Sequence, residues 1–343
     1  MNNEILISII TPCYNHEKYI KDFINSLINQ SYSNWELIIV DDCSKDNSVE
    51  IIKTIKDSRI HLFKQSFNQG PGAALNKAFS ESKGDIIVDM ASDDMLKNDY
   101  FDFIIKKFNE NPEIGVIYST VDAMDDKNKV YDHWTLDIKN NRYEYLKEMF
   151  YRFNTFFSPG MAVRRDIYKK IYPMDISMVQ HQDYQWHIIF LMNTECFVSE
   201  KAYVLYRSEK EKGISLGSHS TAADNRFKLE IFKLMNTFLK ITDLKEIKKI
   251  TGSELCDKLS DDCYKFIWAM AALKCETLEK RQWAYTVLSD VYADENIRKQ
   301  LYENLGFKFA DFLSLAKGNY YKSDSFFQKK LKGLKKRLSK FSK

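Results

Sequence analysis

The sequence is poor in cysteine and has no two cysteines at the spacing of a redox or metal-binding motif. It contains six cysteines in 343 residues, and these are Cys13, Cys43, Cys196, Cys256, Cys263 and Cys275. Neither a CxxC pair nor a disulfide framework is evident, which is typical of a protein in a reducing compartment. Thiol chemistry is therefore not indicated.

A long apolar run is also missing. No charge-free apolar stretch approaches the ~18 residues that would suggest a membrane span. The first residues lack the basic and then apolar pattern of a secretion signal. We therefore expect a cytoplasmic location.

Most of the chain lacks an excess of positive charge. The net charge is +3, but residues 326–343 contain seven lysines, one arginine and no acidic residue. Without those eight positive charges, the rest of the chain has a net charge of −5. Because the main body is mildly acidic, no nucleic-acid partner is expected.

Apolar patterning over the first third of the chain predicts strands that alternate with helices. Ile5 to Ile10 is a β-branched run, and residues 17–29 follow with apolar residues on one helical face. The same order then recurs, with strands predicted at 37–40, 60–63 and 86–88 and near 116–118. This pattern predicts an α/β fold with a mainly parallel central sheet covered on both faces.

The strand pattern stops at about residue 223. Apolar residues at helical spacing then predict helices within 226–250, 254–275, 278–291 and 295–315. The length also favours one large domain with an appendage. We predict a domain over residues 1–222, a helical appendage over 223–318 and a basic amphipathic tail over 319–343.

Four loops follow the predicted strands. They read TPCYNHE, DDCSKDN, NQGPG and DMASDDM, in chain order. In a parallel sheet, ligands bind beyond the carboxyl ends of the strands, so these loops are the candidate site. They would gather Asp41, Asp42, Asp93 and Asp94 on one edge.

Each loop also has a plainer interpretation. An Asp or Asn after a strand often only caps a helix or forms a turn. The NQGPG loop could contact phosphate, or it could be an ordinary turn; it matches neither GxGxxG nor a Walker sequence. Two pairs of aspartates on one edge, however, repel each other unless a cation or a donor-rich ligand compensates.

Two long segments carry a resemblance to a known family. They are ISIITPCYNHEKYIKDFINSLINQSYSNWELIIVDDCSKDNS and FNQGPGAALNKAFSESKGDIIVDMASDD, with weaker support from SPGMAVRRDIY and HQDYQWHI. Over about residues 4–207 the chain resembles the inverting GT-A glycosyltransferases of family 2. That resemblance implies a Rossmann-like nucleotide-binding fold and the transfer of a sugar from a nucleotide-activated donor.

The resemblance also implies a nucleotide pocket. In it, Pro12 and Tyr14 would flank the base, with Tyr14 stacked on it. Asp42 would hydrogen-bond the base, and Asp93 would contact the ribose or a metal-bound water.

By the same resemblance, Asp94 would coordinate Mn²⁺ or Mg²⁺ at the diphosphate. Ser92 stands where many members place the first Asp of the motif. A hard divalent ion prefers one or two carboxylates together with phosphate oxygens and water, so full coordination by protein is not required.

Inversion needs a second carboxylate, which takes the proton from the acceptor hydroxyl. Asp183 matches the Asp of the family's Glu-Asp segment, although the preceding position is Gln182. The alternative is that Asp183 only begins a helix.

Other residues are candidates for diphosphate or acceptor contacts. Arg207 matches the Arg of a later family motif, while Glu209 replaces its His, and His219 could substitute for that His. His181 could contact the acceptor or be packed among aromatic rings.

The segment SPGMAVRRDIY provides two further candidates. Arg164 and Arg165 stand where the family builds its acceptor side, and one of them could bind a lipid diphosphate. Ordinary surface pairing is the alternative.

The basic tail has apolar residues at alternating four- and three-residue steps. They are Phe327, Leu331, Leu334, Leu338 and Phe341. A cationic amphipathic helix of this kind is expected to lie on an anionic membrane surface. A partner-binding helix, a nucleic-acid tail and a disordered charged end are the alternatives.

Together these features predict an inverting hexosyltransferase that uses a nucleotide sugar, with UDP-sugars favoured. Its acceptor would be a saccharide of cell-surface polysaccharide, lipo-oligosaccharide or another glycan, attached to a polyprenyl diphosphate. The tail would hold the enzyme at the inner face of the cytoplasmic membrane. The competing hypothesis is an inactive nucleotide-sugar-binding or scaffold protein of a glycan assembly complex.

Overall fold

The computed structural model describes residues 4–208 and 221–316. It divides into two compact units. The first comprises the described residues of Met1–Arg142 and Thr155–Ala223, and the second those of Tyr143–Asn154 and Asp224–Lys343. The predicted boundaries at residues 222 and 318 stay predictions.

The strands of the described residues all lie in the first unit. They are β1 (Ile7–Cys13), β2 (Trp35–Asp41), β3 (Ile60–Lys64), β4 (Ile86–Asp89), β5 (Met95–Leu96), β6 (Ile114–Met124), β7 (Val130–Trp134), β8 (Met161–Arg164) and β9 (Glu195–Arg207). They form one sheet in the order β3-β2-β1-β4-β8-β6-β9-β5, with β7 paired to β6.

The helices of the described residues belong to both units. They are α1 (Ile20–Ile28), α2 (Ser48–Thr54), α3 (Pro71–Glu81), α4 (Tyr100–Glu110), α5 (Arg142–Tyr151), α6 (Arg165–Tyr168), α7 (Gln182–Asn193), α8 (Thr221–Phe238), α9 (Leu244–Thr251), α10 (Tyr264–Ala272), α11 (Leu278–Ala293), α12 (Glu295–Leu305) and α13 (Phe309–Ala316). Two 3₁₀ turns, Glu254–Asp257 and Asp261–Cys263, precede α10.

The first half of the sheet is parallel. Strands β3, β2, β1 and β4 run in the same direction, and β1 pairs with β2 from Ile7 opposite Trp35 to Cys13 opposite Asp41. Every residue of β2 is buried, because helices cover both faces of a sheet of this kind. The carboxyl ends of these strands therefore share one edge, as the apolar runs predicted.

The second half of the sheet is mixed. Strand β8 runs antiparallel to both β4 and β6, β9 runs parallel to β6, and β5 and β7 are antiparallel to their neighbours. The predicted fold class, α/β with a C-terminal helical region, is confirmed. The direction of β8 was not predicted, and it decides where the residues after β8 lie.

The second unit is helical, and α5 belongs to it together with the helices from α8 onward. Its core contains Phe150, Phe238 and Trp268, whose rings lie 4.8–5.4 Å apart. The buried Lys280 amine donates to the carbonyls of Met149 and Phe150. These carbonyls lie in the last turn of α5, where they have no partner within the helix. Among the described residues, no helix combines the length and apolar character needed to cross a bilayer.

Candidate active site

The loops at the carboxyl ends of β1 and β2 are joined by the backbone. The Asp42 N–H donates to the Cys13 carbonyl at 2.8 Å. Asn15, whose φ is +56°, accepts from the Lys45 N–H through its side-chain oxygen at 2.8 Å. This turn leaves Tyr14 40% exposed, and a ring that stacks on a base has to be accessible.

The loop after β3 is held by the carboxylate of Asp42. One of its oxygens accepts from the Gln69 N–H at 2.7 Å, and the other accepts from the Gly70 N–H at 2.8 Å. Gly70 has a φ of +85° and stands directly before α3. Asp42 therefore organises the NQGPG turn, and its predicted contact with a base stays a prediction.

Ser92 connects the loop after β4 to the loop after β1. Its side chain is buried, and its hydroxyl donates to the Pro12 carbonyl at 3.0 Å. Since that uses its only proton, the Nδ1–H of His16 donates to Ser92 Oγ at 2.7 Å. The residue that replaces an acid of the family motif thus has a structural function in this chain.

Asp94 is a buried carboxylate that is only half satisfied. One oxygen accepts from the Arg207 N–H at 2.7 Å, while Oδ2 is buried and has no hydrogen-bond partner. Burial, and then the nearby charge of Asp93, hold the pKa of Asp94 well above its ordinary value. A group of this kind is stabilised by a cation.

The residues present fit a divalent cation held by few protein ligands. The unpartnered Oδ2 of Asp94 is the available ligand atom. Within residues 4–208 and 221–316 there is no group of three or more His, Cys, Asp or Glu that could hold a metal ion. Phosphate oxygens and water would therefore have to supply most of the coordination.

Arg207 holds the loop that carries Asp93 and Asp94 through hydrogen bonds. Its side chain is buried, and its Nε donates to the Asp93 carbonyl at 2.8 Å. Its other two nitrogens donate to the Asp125 carbonyl and to the side-chain oxygen of Asn128. These bonds use three of the five N–H donors of the guanidinium, and the predicted diphosphate contact of Arg207 stays a prediction.

Asp183 lies in the first turn of α7, as both interpretations of its sequence required. Its Oδ1 accepts from the Tyr184 N–H at 2.7 Å, and its Oδ2 accepts from the Ser158 hydroxyl at 3.0 Å. Burial raises the pKa of Asp183 above its ordinary value. A raised pKa is suited to a carboxylate that accepts a proton.

The predicted metal ligand Asp94 and the predicted base Asp183 both act electrostatically on Tyr206. Burial, followed by the charges of Asp94, Asp93 and Asp183, raises the pKa of Tyr206 to about 12. Asp183 also acts electrostatically on Asp89, whose pKa burial raises to about 7. The loops after β4 and the start of α7 therefore belong to one site.

The start of α3 also touches the start of α7. A Cβ atom at Gly72 would lie 2.2 Å from Nε2 of Gln182, so only glycine fits there without displacement. His181, which precedes α7, is buried and has its ring 5.8 Å from that of Tyr184 in an edge contact. Of the two predicted roles of His181, the packed one matches this placement.

Arg164 and Arg165 lie at the opposite edge of the sheet. Arg164 pairs with Ile86, the first residue of β4, because β8 is antiparallel. Its guanidinium donates to the carbonyls of Ile114 and Phe108, and that of Arg165 donates to Gly84 and Ser82. Both side chains are thus held by protein oxygens at this edge, and their predicted contact with the acceptor stays a prediction.

Three polar residues of the site were not predicted. His16 meets Ser92, while Ser158 and His187 stand beside Asp183, with Ser158 Oγ 3.1 Å from His187 Nε2. A spacing of four residues puts Asp183 and His187 on one helix face, and that signal could have revealed His187. Glu209 and His219, as well as the tail 326–343, lie outside the described residues.

The chain is similar to known proteins in sequence and in structure. A family model described as "Glycosyl transferase family 2" matches residues 8–172. An uncharacterized glycosyltransferase of Haemophilus influenzae is 32% identical over 72% of this chain and 93% of its own length. The Escherichia coli UDP-Glc:alpha-D-GlcNAc-diphosphoundecaprenol beta-1,3-glucosyltransferase WfgD is 39% identical over 27% of this chain and 37% of its own.

Two solved structures share the fold at low sequence identity. S. aureus TarS 1-349 in complex with UDP has a TM-score of 0.59 and 17% identity, with 94% of each chain covered. The mannosyltransferase PcManGT of Pyrobaculum calidifontis, in complex with GDP-Man and Mn²⁺, has a TM-score of 0.53 and 16% identity, over 94% of this chain and 89% of its own. With the sequence matches, these likenesses establish a GT-A fold, and the chain belongs to glycosyltransferase family 2.

Proposed function

We propose that this glycosyltransferase moves a hexose from a UDP-sugar, with inversion, onto a saccharide acceptor. Two aspartates carry the proposal, the buried Asp94 and the half-buried Asp183, which both act electrostatically on Tyr206 from different elements. One has an oxygen without a partner, and the other has a raised pKa. These are the properties required of a metal ligand and of a general base.

The donor would occupy the edge formed by the loops after β1, β2 and β4. The exposed Tyr14 ring and Pro12 would flank the base, Asp42 would bind it, and Asp93 would contact the ribose. TarS in complex with UDP supports the choice of a uridine donor.

Asp94 would hold Mn²⁺ or Mg²⁺ at the diphosphate. Such an ion supplies charge neutralisation to the departing nucleoside diphosphate. Arg207 fixes the loop and thereby directs Asp94, since its N–H binds one oxygen and leaves Oδ2 for the ion. The Mn²⁺ in PcManGT supports a divalent ion.

Asp183 would act as the general base. The acceptor oxygen forms its bond to the anomeric carbon while its proton passes to the Asp183 carboxylate. The bond from the anomeric carbon to the diphosphate oxygen breaks, and the nucleotide leaves with the electron pair. Attack from the face opposite the leaving group inverts the anomeric centre.

The acceptor is proposed to be a glycan attached to a polyprenyl diphosphate. The name of WfgD, which includes an acceptor of that kind, supports this choice. The basic residues of 326–343 would hold the protein on the inner face of the cytoplasmic membrane.

Calorimetry with UDP, GDP and CDP, each with and without Mn²⁺, tests the donor site. We expect UDP to bind most tightly and Mn²⁺ to strengthen its binding. Release of UDP from UDP-glucose, measured with α-GlcNAc-diphosphoundecaprenol as the acceptor probe and with water alone, tests turnover. Binding of UDP without turnover of any UDP-sugar would favour the inactive binding protein instead.

A further inference from the structure

The neighbours of Asp183 form a continuous chain of hydrogen bonds. Tyr118 OH lies 3.0 Å from His187 Nδ1, and His187 Nε2 lies 3.1 Å from Ser158 Oγ. The Ser158 hydroxyl then donates to Oδ2 of Asp183 at 3.0 Å. Three elements contribute to this chain, since Tyr118 is on β6, Ser158 is in the loop before β8, and the other two are on α7.

The direction of each hydrogen bond follows from the number of protons. Ser158 has one hydroxyl proton, which goes to Asp183, so Ser158 must accept from the Nε2–H of His187. A neutral imidazole has only one N–H, so Nδ1 accepts from the Tyr118 hydroxyl. Every donor in this chain therefore points toward the carboxylate.

Packing keeps the histidine neutral and in place. His187 is fully buried, and its ring makes edge contacts with those of Tyr118 and Phe156 at 5.1 and 5.4 Å. Burial lowers its pKa to about 3, so the imidazole stays neutral and keeps a single N–H at neutral pH. A histidine of this kind can orient a neighbour, but it does not compete with Asp183 as a base.

We propose that Ser158 and His187 are positioning residues that hold Asp183, as a carboxylate, in the orientation in which it accepts the proton of the acceptor. This inference rests on the proposed function, since it requires Asp183 to be the base. It adds to the proposed function an account of how the Asp183 carboxylate is oriented. The hydroxyl of Ser158 touches the base, and His187 acts only through Ser158.

Other groups that influence Asp183 lie on neighbouring elements. They are Asp89 at the end of β4, Tyr206 on β9 and the backbone N–H of Tyr184 on α7. The Ser158 hydroxyl lowers the pKa of Asp183, against the effect of burial. Its removal is therefore expected to shift the pKa of Asp183 upward.

The test is Ser158→Ala, with Ser80→Ala as the matched control, because the Ser80 hydroxyl is exposed on α3 and donates only to the Lys77 carbonyl. With UDP-glucose and Mn²⁺, we expect Ser158→Ala to lower kcat by about tenfold, the effect of one hydrogen bond. The KM for UDP-glucose should not change, and the acidic limb of the pH profile of kcat/KM should move to higher pH. Ser158→Thr, which keeps the hydroxyl, should restore both.

A matched pair of variants tests His187. Gln can present an N–H near the position of Nε2, whereas Met has a similar length and no donor. We expect His187→Met to lower kcat by about tenfold, and His187→Gln by no more than about threefold. Equal losses for the two variants would overturn the role assigned to His187.

An unchanged acidic limb in Ser158→Ala, whatever the loss of kcat, would overturn the proposal and leave Ser158 a structural role. The pKa of Asp183 can also be measured without turnover, by ¹³C NMR titration of the aspartate carboxyls. The Asp183 signal is assigned as the one that Asp183→Asn removes. We expect a higher pKa in Ser158→Ala, and an equal pKa would overturn the proposal. Failure of the proposed function is distinguishable, because it would appear as full turnover in Asp183→Asn or as none in the wild type.

Discussion

The two edges of the parallel half-sheet hold buried charge in different ways. At the amino-terminal edge, Glu36 accepts from the Ser8 hydroxyl and from the Lys83 N–H, each at 2.6 Å, and Arg165 donates to Gly84 and Ser82. At the carboxyl-terminal edge, Asp94 has an oxygen with no partner. One edge is satisfied by the chain itself, whereas the other needs a ligand.

The difference shows which carboxylates serve stability and which serve a ligand. Buried polar groups normally find partners, and one that does not costs free energy that only a bound group can restore. Asp89, Asp94 and Asp183 all have raised pKa values, mainly through burial, and all lie at the carboxyl-terminal edge. These carboxylates, kept for a ligand, are therefore expected to lower the free energy of unfolding of the ligand-free protein.

The largest expected effect is on the base. Asp183→Asn should reduce UDP release by about 10³-fold, because proton transfer by a positioned group contributes on that order. The dissociation constant for UDP should change little, since Asn keeps the shape of the side chain. Kinetics and calorimetry measure the two effects, and Asp166→Asn, at an exposed position, is the control. Turnover close to that of the wild type would remove Asp183 as the base.

The next largest effect is expected for Asp94→Asn. Turnover at a fixed Mn²⁺ concentration should fall by about 10²-fold, because charge stabilisation of the leaving group is lost. Whereas turnover falls, the stability of the metal-free variant should rise relative to that of the wild type. A raised carboxyl pKa makes the folded state less stable as the pH rises, so metal-free Asp94→Asn should gain in Tm relative to the wild type with increasing pH. If the Tm of Asp94→Asn fell relative to that of the wild type as the pH rises, the proposed contrast between the two edges of the sheet would be contradicted.

At the satisfied edge, substitution should affect stability alone. Arg165→Met removes donors to Gly84 and Ser82 and the stacking of the guanidinium on Phe79. We expect a loss of about 2 kcal/mol in the free energy of unfolding, with UDP affinity unchanged. Denaturant unfolding measures it, and the exposed Lys106→Met is the control. A weaker affinity for UDP would show that the two edges are coupled.

The last effect is the change of stability with pH that comes from Asp89. Its pKa rises from 3.8 to about 7 in the folded protein, so the folded state keeps a proton that the unfolded state loses within that window. The stability that this proton provides is present below the window and is lost as the pH rises through about 7. Asp89→Asn should flatten the fall of Tm over this range, and an unchanged slope would contradict it.

The sequence was sufficient for the parallel half of the sheet. Runs such as Leu37 to Val40 are apolar, rich in β-branched residues and fully buried, and the loops after them were correctly placed on one edge. The mixed half was not predicted, because a short strand such as β8 has the same pattern in either direction. That direction places Arg164 beside Ile86, at the start of β4.

In the helical region, the pattern indicated helices but not all their ends. The predicted segment 226–250 is two helices, and the second begins after Asp243, whose side chain caps it by accepting from the Lys245 N–H. In the candidate site, the positions of the aspartates that follow strands could be predicted from sequence. Ser158 could not, because it meets Asp183 only through tertiary packing across 25 residues.

The hydroxyl of Ser92 limits how this enzyme could be altered toward the commoner family motif. Ser92→Asp would replace a group that both donates and accepts with one that, when ionised, only accepts, so the Pro12 carbonyl would face a carboxylate oxygen instead of a proton. The side chain is fully buried and has no room to turn toward solvent. An additional acid for the metal would therefore require a change in the loop after β1 as well, and the two loops can be expected to have diverged together.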